Sequence, residues 1–160
     1  MKAFLQPLQN LAEMEQIREQ AKDNRGVLAV SGCMESQKAH MIYGLSGLFP
    51  CHLIISEDER SAKQIYEDYR FYDKNVYYYP ARDLLFFQAD IHGNLLIRQR
   101  MQVIRALLTS EEITVVTSVD GCMDFLAPLE EIRKQLLYFR NDSQLDIDKL
   151  KTSLVSMGYE

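Results

Sequence analysis

The chain has 160 residues and a mass of 18.6 kDa, and its 18 basic and 23 acidic side chains give a formal net charge of −5. This acidic balance argues against an unaided duplex-DNA binder, because neutralising roughly six to ten phosphates requires a basic surface. A hydrophobic fraction of 47% excludes a disordered chain, and three cysteines are too few for a disulfide-stapled scaffold.

The cysteines and histidines lack the close spacing of zinc ligands, and no serine or cysteine is paired with a histidine in a catalytic pattern. These residues are Cys33, Cys51, Cys122, His40, His52 and His92. The N-terminus has no apolar core of a signal peptide, and no run approaches the roughly 20 apolar residues of a membrane span. The sequence therefore predicts a reduced, cytoplasmic location.

Short apolar runs alternate with segments of helical period, which is typical of β-α-β units around a parallel sheet. Four runs are rich in Val, Ile or Tyr and are predicted to be buried strands. They comprise residues 27–30, 53–55, 76–79 and 113–116. The predicted fold class is α/β, with a parallel sheet flanked by helices.

Amphipathic periods predict the helices between these strands. The opening helix covers residues 8–21, with Leu11, Met14, Ile17 and Ala21 on its apolar face. The next apolar faces consist of Ala62, Ile65, Tyr66 and Tyr69, and of Ile97, Met101, Ile104 and Leu108. Ser56 and Glu59 have the spacing of a capping box, which predicts a helix start there rather than a metal site.

Two further groups of side chains favour structural interpretations. Aromatic residues are dense between positions 66 and 87, including three consecutive tyrosines at 77–79. Few basic residues accompany them, so core packing is favoured over stacking on single-stranded bases. Arg98, Arg100 and Arg105 form a small group on a helix with polar neighbours, and this group is predicted to be a solvated face.

The pattern changes after Ser118, where an Ala-Pro pair at 127–128 precedes a polar helix start and a fifth apolar run at residues 135–139. A last helix begins at Asp146, its predicted N-cap, carries Ile147, Leu150, Leu154 and Met157 on one face, and stops at Gly158. Roughly 35 residues cannot close a core of their own. We therefore predict one domain at residues 1–126 and the truncated beginning of a second α+β domain at residues 127–160.

A degenerate phosphate loop follows the first predicted strand. In a working loop, backbone amides hold phosphates after two spaced glycines, a lysine reaches the β- and γ-oxygens, and a hydroxyl binds Mg²⁺. Gly32 and Lys38 occupy matching positions, but Gln37 replaces the second glycine and Ala39 replaces the hydroxyl, while Glu35 adds a negative charge. We predict that this loop binds no nucleotide or metal and has no catalytic role. The alternative interpretation is an ordinary strand-to-helix turn, which would also bind nothing.

The binding free energies that such a loop can supply support this interpretation. A helix N-terminus and one solvated lysine together stabilise a bound anion by about 2 kcal/mol, whereas millimolar binding already requires about 4 kcal/mol. The alternative is a working nucleotide-binding domain of a helicase-like ATPase, for which Lys38 would be essential. A stand-alone regulatory α/β domain would need an acidic phosphoacceptor cluster at the strand ends, and the sequence offers none.

Several segments resemble the N-terminal end of the bacterial transcription-repair coupling factors (Mfd), a module similar to domains 1a and 2 of the repair protein UvrB. The resemblance lies in residues 30–32, 79–90, 98–101, 103–104 and 115–118, and the stretch from 80 to 101 is the most specific part. It implies a helicase-like domain 1a at residues 1–126 without its ATPase, and the start of the UvrA-binding domain 2 at residues 127–160. About twenty residues separate Pro80 from Arg100, which leaves no room for the DNA-clamping hairpin of UvrB.

The resemblance also implies a function for the parent protein. Members of this family displace stalled RNA polymerase with an ATP-driven double-stranded-DNA translocase and recruit UvrA for nucleotide excision repair. ATP, Mg²⁺, RNA polymerase and DNA belong to downstream domains, so this chain is expected to be a non-catalytic fragment. For UvrA contact we expect Tyr159 and Glu160, although some relatives carry arginine at the position of Glu160.

Overall fold

The structure, a computed structural model of the chain, describes residues 4–23, 26–82, 90–137 and 146–156, with only the backbone at 90–94, 135 and 156. The chain divides into two units, Met1–Asp124 and Phe125–Glu160. Whether these units are the expected UvrB-like domains stays a prediction. Among the described residues, no helix combines the length and apolar character needed to cross a membrane.

Among its described residues, the first unit contains six α-helices, a short 3-10 helix at Ser46–Leu48 and three strands, and a helix separates each strand from the next. In chain order they are α1 (Gln6–Gln9), α2 (Ala12–Asp23), α3 (Glu35–Leu45), β1 (Cys51–Ser56), α4 (Glu59–Tyr69), β2 (Val76–Tyr79), α5 (Asp90–Thr109), β3 (Ile113–Ser118) and α6 (Val119–Cys122). The second unit contains α7 (Leu129–Gln135) and α8 (Ile147–Ser156).

The three strands form a parallel sheet in the order β1-β3-β2. Val115 of the central strand lies opposite Leu53 of β1 and Tyr77 of β2. Every residue of β3 is buried, as expected of a strand that has neighbours on both sides and helices on both faces. The predicted α/β class is confirmed, whereas its helicase-like version stays a prediction.

The predicted first strand, residues 27–30, is wrong. This segment has no regular secondary structure, and Val27 and Val30 are 96% and 52% exposed. β1 pairs only with β3, so among the described residues nothing pairs with segment 27–30. A strand requires a backbone partner, and β-branched residues without one gain nothing from an extended conformation.

Helices cover the two faces of the sheet unequally. On one face α4 packs against all three strands, with α3 beside it, and Tyr43, Ile54, Ala62, Tyr69 and Val116 form the core there. On the other face α5 packs on β2 and β3. The predicted apolar face of α4 is therefore confirmed, and the dense tyrosines pack in the core, as the edge-to-face pair of Tyr43 and Tyr69 shows.

The predicted apolar face of α5 is wrong in part. Ile104 is buried, but Ile97 and Met101 are 61% and 53% exposed. The buried stripe instead includes Val103 and Arg100, which are 1% and 8% exposed. Arg100 was expected on a solvated face, and it is buried because its guanidinium finds polar partners at the end of the sheet, described below.

Two helix starts also differ from the predictions. The opening helix is split into α1 and α2, so Met14 is buried while Leu11 is 45% exposed. The helix after β1 begins at Glu59, two residues later than a capping box with Ser56 as N-cap requires, and its N-cap is Asp58, whose carboxylate accepts the Ser61 N–H at 2.7 Å. This hydrogen bond lowers the pKa of Asp58. The predicted capping box of Ser56 and Glu59 is wrong, because the Glu59 side chain turns toward the sheet.

The second unit keeps its predicted last helix. Asp146 caps α8 by accepting the N–H groups of Asp148 and Lys149 at 3.2 Å each. The fifth apolar run is not a strand where it is described, because Gln135 ends α7 and residues 136–137 have no regular structure. Residues 138–139, Met157 and Gly158 lie outside the described residues.

Candidate functional site

The segment predicted as a degenerate phosphate loop forms an exposed turn before α3. Gly32 has a φ of +84°, a left-handed conformation that side chains disfavour, and no heavy atom lies within 4 Å of the position that a Cβ would take. The glycine is therefore explained by the turn itself.

The other three loop residues each have a structural role. Gln37 Oε1 accepts the Met34 N–H at 3.4 Å, and Ala39 is buried, with 4% of its surface exposed. Lys38 forms an ion pair with Glu35, three residues before it on the same helix. The hydrogen bond to Glu35 raises the pKa of Lys38. The side-chain charge of Lys38 is thus balanced within the loop, which leaves little attraction for a phosphate.

A second polar site lies where the three parallel strands end. Glu59, the first residue of α4, points its carboxylate at this edge of the sheet. It accepts hydrogen bonds from the hydroxyls of Tyr78 and Ser118 and from the Ala81 N–H, the last at 3.2 Å. One carboxylate therefore ties together β2, β3 and the start of α4.

Ser118 extends this site into α6. Its side chain is fully buried, and its Oγ accepts the Gly121 N–H at 3.0 Å while donating to Glu59. A Cβ at Gly121 would lie 3.3 Å from the Tyr79 carbonyl oxygen and would collide with Thr117 Oγ1. Gly121 is therefore required by the close approach of α6 to the sheet.

A buried arginine forms the other half of this edge. Arg100 Nη1 donates to the Pro80 carbonyl at 2.9 Å, its Nη2 contacts the Tyr79 hydroxyl, and its guanidinium carbon lies 4.2 Å from the centroid of the Tyr79 ring. Asp124 Oδ2 lies 2.6 Å from Arg100 and 3.0 Å from Arg82. Two arginines thus hold the last residue of the first unit.

The chemistry available at this edge is limited. Ser118 is inaccessible, its acidic neighbour is occupied by three donors, and Arg100 is held by groups of the protein. Across the described ranges, no three His, Cys, Asp or Glu side chains come together in a set that could hold a metal ion. The arrangement is suited to fixing the strand ends in place and is not suited to proton transfer or nucleophilic attack.

Burial and the Glu59 carboxylate raise the pKa of Tyr78 well above its ordinary value near 10. The unfolded chain releases this proton near pH 10 while the folded protein retains it, so Tyr78 makes stability fall as pH rises above 10. We expect Tyr78→Phe to be less stable at pH 7, because its hydrogen bond is lost. In urea unfolding, the difference in the free energy of unfolding between Tyr78→Phe and the unchanged chain should become smaller between pH 10 and 11. If this difference stays constant across that range, the pKa of Tyr78 is not raised as described.

Sequence reasoning missed Glu59, Ser118 and Arg100 as parts of one site. Glu59 follows a strand closely, and Arg100 lies four residues after Leu96 and three before Val103, a spacing that would place it on an apolar stripe. The expected partner-binding residues Tyr159 and Glu160 lie outside the described residues. The three cysteines are free, and His40 contacts the Phe4 carbonyl oxygen at 2.6 Å.

Comparison with known proteins finds transcription-repair-coupling factors. The chain is 25% identical over 146 residues to that of Bacillus subtilis, covering 82% of this chain and 12% of that protein. It is 24% identical over 109 residues to that of Staphylococcus epidermidis, covering 67% of this chain and 9% of the relative. The match to Staphylococcus aureus is 24% over 87 residues, or 54% of this chain and 7% of the relative.

No family model matches the chain, and no solved structure matches it. The chain spans about a tenth of the length of the curated relatives it matches. It is therefore distantly similar to a segment of transcription-repair-coupling factors, in agreement with the resemblance seen in the sequence.

Proposed function

We propose that this chain is a non-catalytic segment of a transcription-repair coupling factor that works in the cytoplasm. The observation that carries the proposal is the similarity to the Bacillus subtilis factor, which extends over 82% of the chain. The loop geometry supports the non-catalytic part. Lys38 is paired with Glu35, and Ala39 is buried where a working loop would present a hydroxyl to Mg²⁺.

In this proposal, ATP hydrolysis, translocation along double-stranded DNA and displacement of RNA polymerase belong to other domains of the parent protein. This chain contributes a scaffold, and its second unit contributes to docking of the repair protein UvrA. The net charge of −5 fits a scaffold better than a DNA-tracking motor, because phosphate contacts require a basic surface.

The nucleotide part is tested by calorimetric titration with Mg²⁺-ATP. We expect no saturable heat at millimolar ATP, for both the unchanged chain and Lys38→Ala, because the loop supplies too little binding energy. Lys63→Ala, which removes an exposed lysine of α4, is the matched control. Micromolar binding that Lys38→Ala abolishes and Lys63→Ala retains would refute the non-catalytic proposal.

The docking part is tested by retention of UvrA from the same organism on the immobilised chain. We expect Tyr159→Ala to reduce retention and Glu160→Arg to increase it, since some relatives bear arginine there. Phe71→Ala, which truncates a 73% exposed side chain of the first unit, serves as the control. If the folded chain retains no UvrA, the docking proposal fails and the nucleotide result still stands on its own.

A further inference from the structure

The helices that the structure describes cover one face of the sheet in the first unit only in part. Leu53 and Ile55 of β1 lie on the face that α5 covers over β2 and β3, and they are 59% and 52% exposed. Parallel sheets normally bury both faces under helices, so two large aliphatic side chains exposed on a parallel strand are unusual. Over β1, the layer formed by the described helices is therefore incomplete on this face.

The neighbouring flank of α5 continues the apolar surface. α5 connects β2 to β3, and such crossovers are right-handed in about 98% of cases, which puts β1 on one defined side of α5. At about 100° per residue, Ile97 and Met101 project from that side. Both are more than half exposed. The exposed face of β1 and this flank of α5 thus form two walls of one groove.

The outer rim of the groove is basic. Arg98 and Arg105 lie beyond Met101 around the same helix, about 40° to 60° further toward solvent. Both are exposed, and neither guanidinium forms an ion pair within the described part of the chain. A partner in the groove would therefore meet an apolar floor and two positive charges along one edge.

We propose that the groove formed by Leu53, Ile55, Ile97 and Met101, with Arg98 and Arg105 on its rim, binds an amphipathic helix whose apolar stripe is flanked by carboxylates. Helices pack side by side at about 8 to 10 Å, which is the space that an added helix beside α5 would fill. Carboxylates on its outer edge would lie opposite the two arginines, which gives the site a preference for acidic partners.

Two other occupants fit these observations less well. A second copy related by two-fold symmetry would bring the same patch against itself, with arginines facing arginines. An extended segment added to the β1 edge would satisfy backbone groups but leave the apolar face uncovered. The helix accounts for both the apolar floor and the basic rim. The proposal goes beyond the function proposed above and does not depend on it.

The test uses labelled synthetic helices of about 18 residues, or five turns, with a leucine stripe flanked either by glutamates or by lysines. Fluorescence anisotropy at low salt measures their affinity for the full chain. We expect the glutamate peptide to bind at least about tenfold tighter than the lysine peptide. Joint replacement Arg98→Glu and Arg105→Glu should reverse this preference.

Ile55→Asp should weaken binding of the glutamate peptide by about tenfold or more, because an apolar contact is lost. Phe71→Asp, which places the same charge at an exposed site away from the groove, should leave binding unchanged. Equal affinity for the two peptides, equal loss in the two aspartate variants, or a chain dimer in sedimentation that Ile55→Asp dissociates would each overturn the proposal.

Discussion

Glu59→Ala is expected to lower the free energy of unfolding by about 3 kcal/mol, because one truncation leaves three donors without their acceptor. Ser118 is fully buried, so its hydroxyl cannot turn to water, and Tyr78 and Ala81 are partly buried. The carboxylate also joins α4 to the ends of β2 and β3, so its loss loosens the sheet and α6 together. Urea unfolding at pH 7, followed by circular dichroism, measures the change.

The matched control is Glu67→Ala, which removes an exposed glutamate of the same helix whose partner is Arg70 at 3.4 Å. Exposed pairs of this kind contribute little, so this variant should stay within about 0.5 kcal/mol of the unchanged chain. Glu59→Gln retains one acceptor oxygen, so its free energy of unfolding should lie between those of Glu59→Ala and Glu67→Ala. If Glu59→Ala unfolds at the same urea concentration as the unchanged chain, the strand ends are held by other contacts.

Arg100→Met should destabilise the chain by about 3 kcal/mol, because breaking a buried ion pair leaves a carboxylate without its main partner. The methionine keeps an apolar stem, so the loss reports the guanidinium and not a cavity. Asp124 is 17% exposed and keeps Arg82, which limits the penalty. Arg105→Met, at an exposed site on the same helix, should change stability by less than about 0.5 kcal/mol.

A double-mutant cycle separates the ion pair from the other contacts of Arg100. Arg100→Met combined with Asp124→Asn should be less destabilised than the sum of the single variants, with a coupling of about 1 to 2 kcal/mol. Additive effects would show that Arg100 acts mainly through Pro80 and Tyr79. In that case the ion pair with Asp124 would not hold the end of the first unit.

Local sequence was sufficient to predict the strands that have a neighbouring strand to pair with in the fold. The runs at 53–55, 76–79 and 113–116 are strands because their β-branched and aromatic residues fit a pleated, buried surface. The run at 27–30 has the same composition and is not a strand, because strand formation also needs a hydrogen-bonding neighbour. Composition indicates whether a segment fits a pleated, buried surface, but it does not indicate whether a neighbouring strand is present.

The candidate sites show the same division. The substitutions at Gln37 and Ala39 could be identified from the sequence, because a phosphate loop depends on residue types at fixed spacing. The pairing of Lys38 with Glu35 could be anticipated from helical spacing, since residues three apart are neighbours. The contacts of Glu59 with Ser118 could not be, because 59 residues separate them.

On α5, two sets of residues, offset from each other by one position, could each form the side of the helix that packs on the sheet. The sequence favours Ile97, Met101 and Ile104, which carry no charge, but the structure buries Arg100 and Val103 and exposes two of the favoured residues. Periodicity determined that this segment is a helix with one packed side, because apolar spacing is a local property. Only the tertiary structure decided which side, because Arg100 is stable in the interior once Asp124, Pro80 and Tyr79 meet it there.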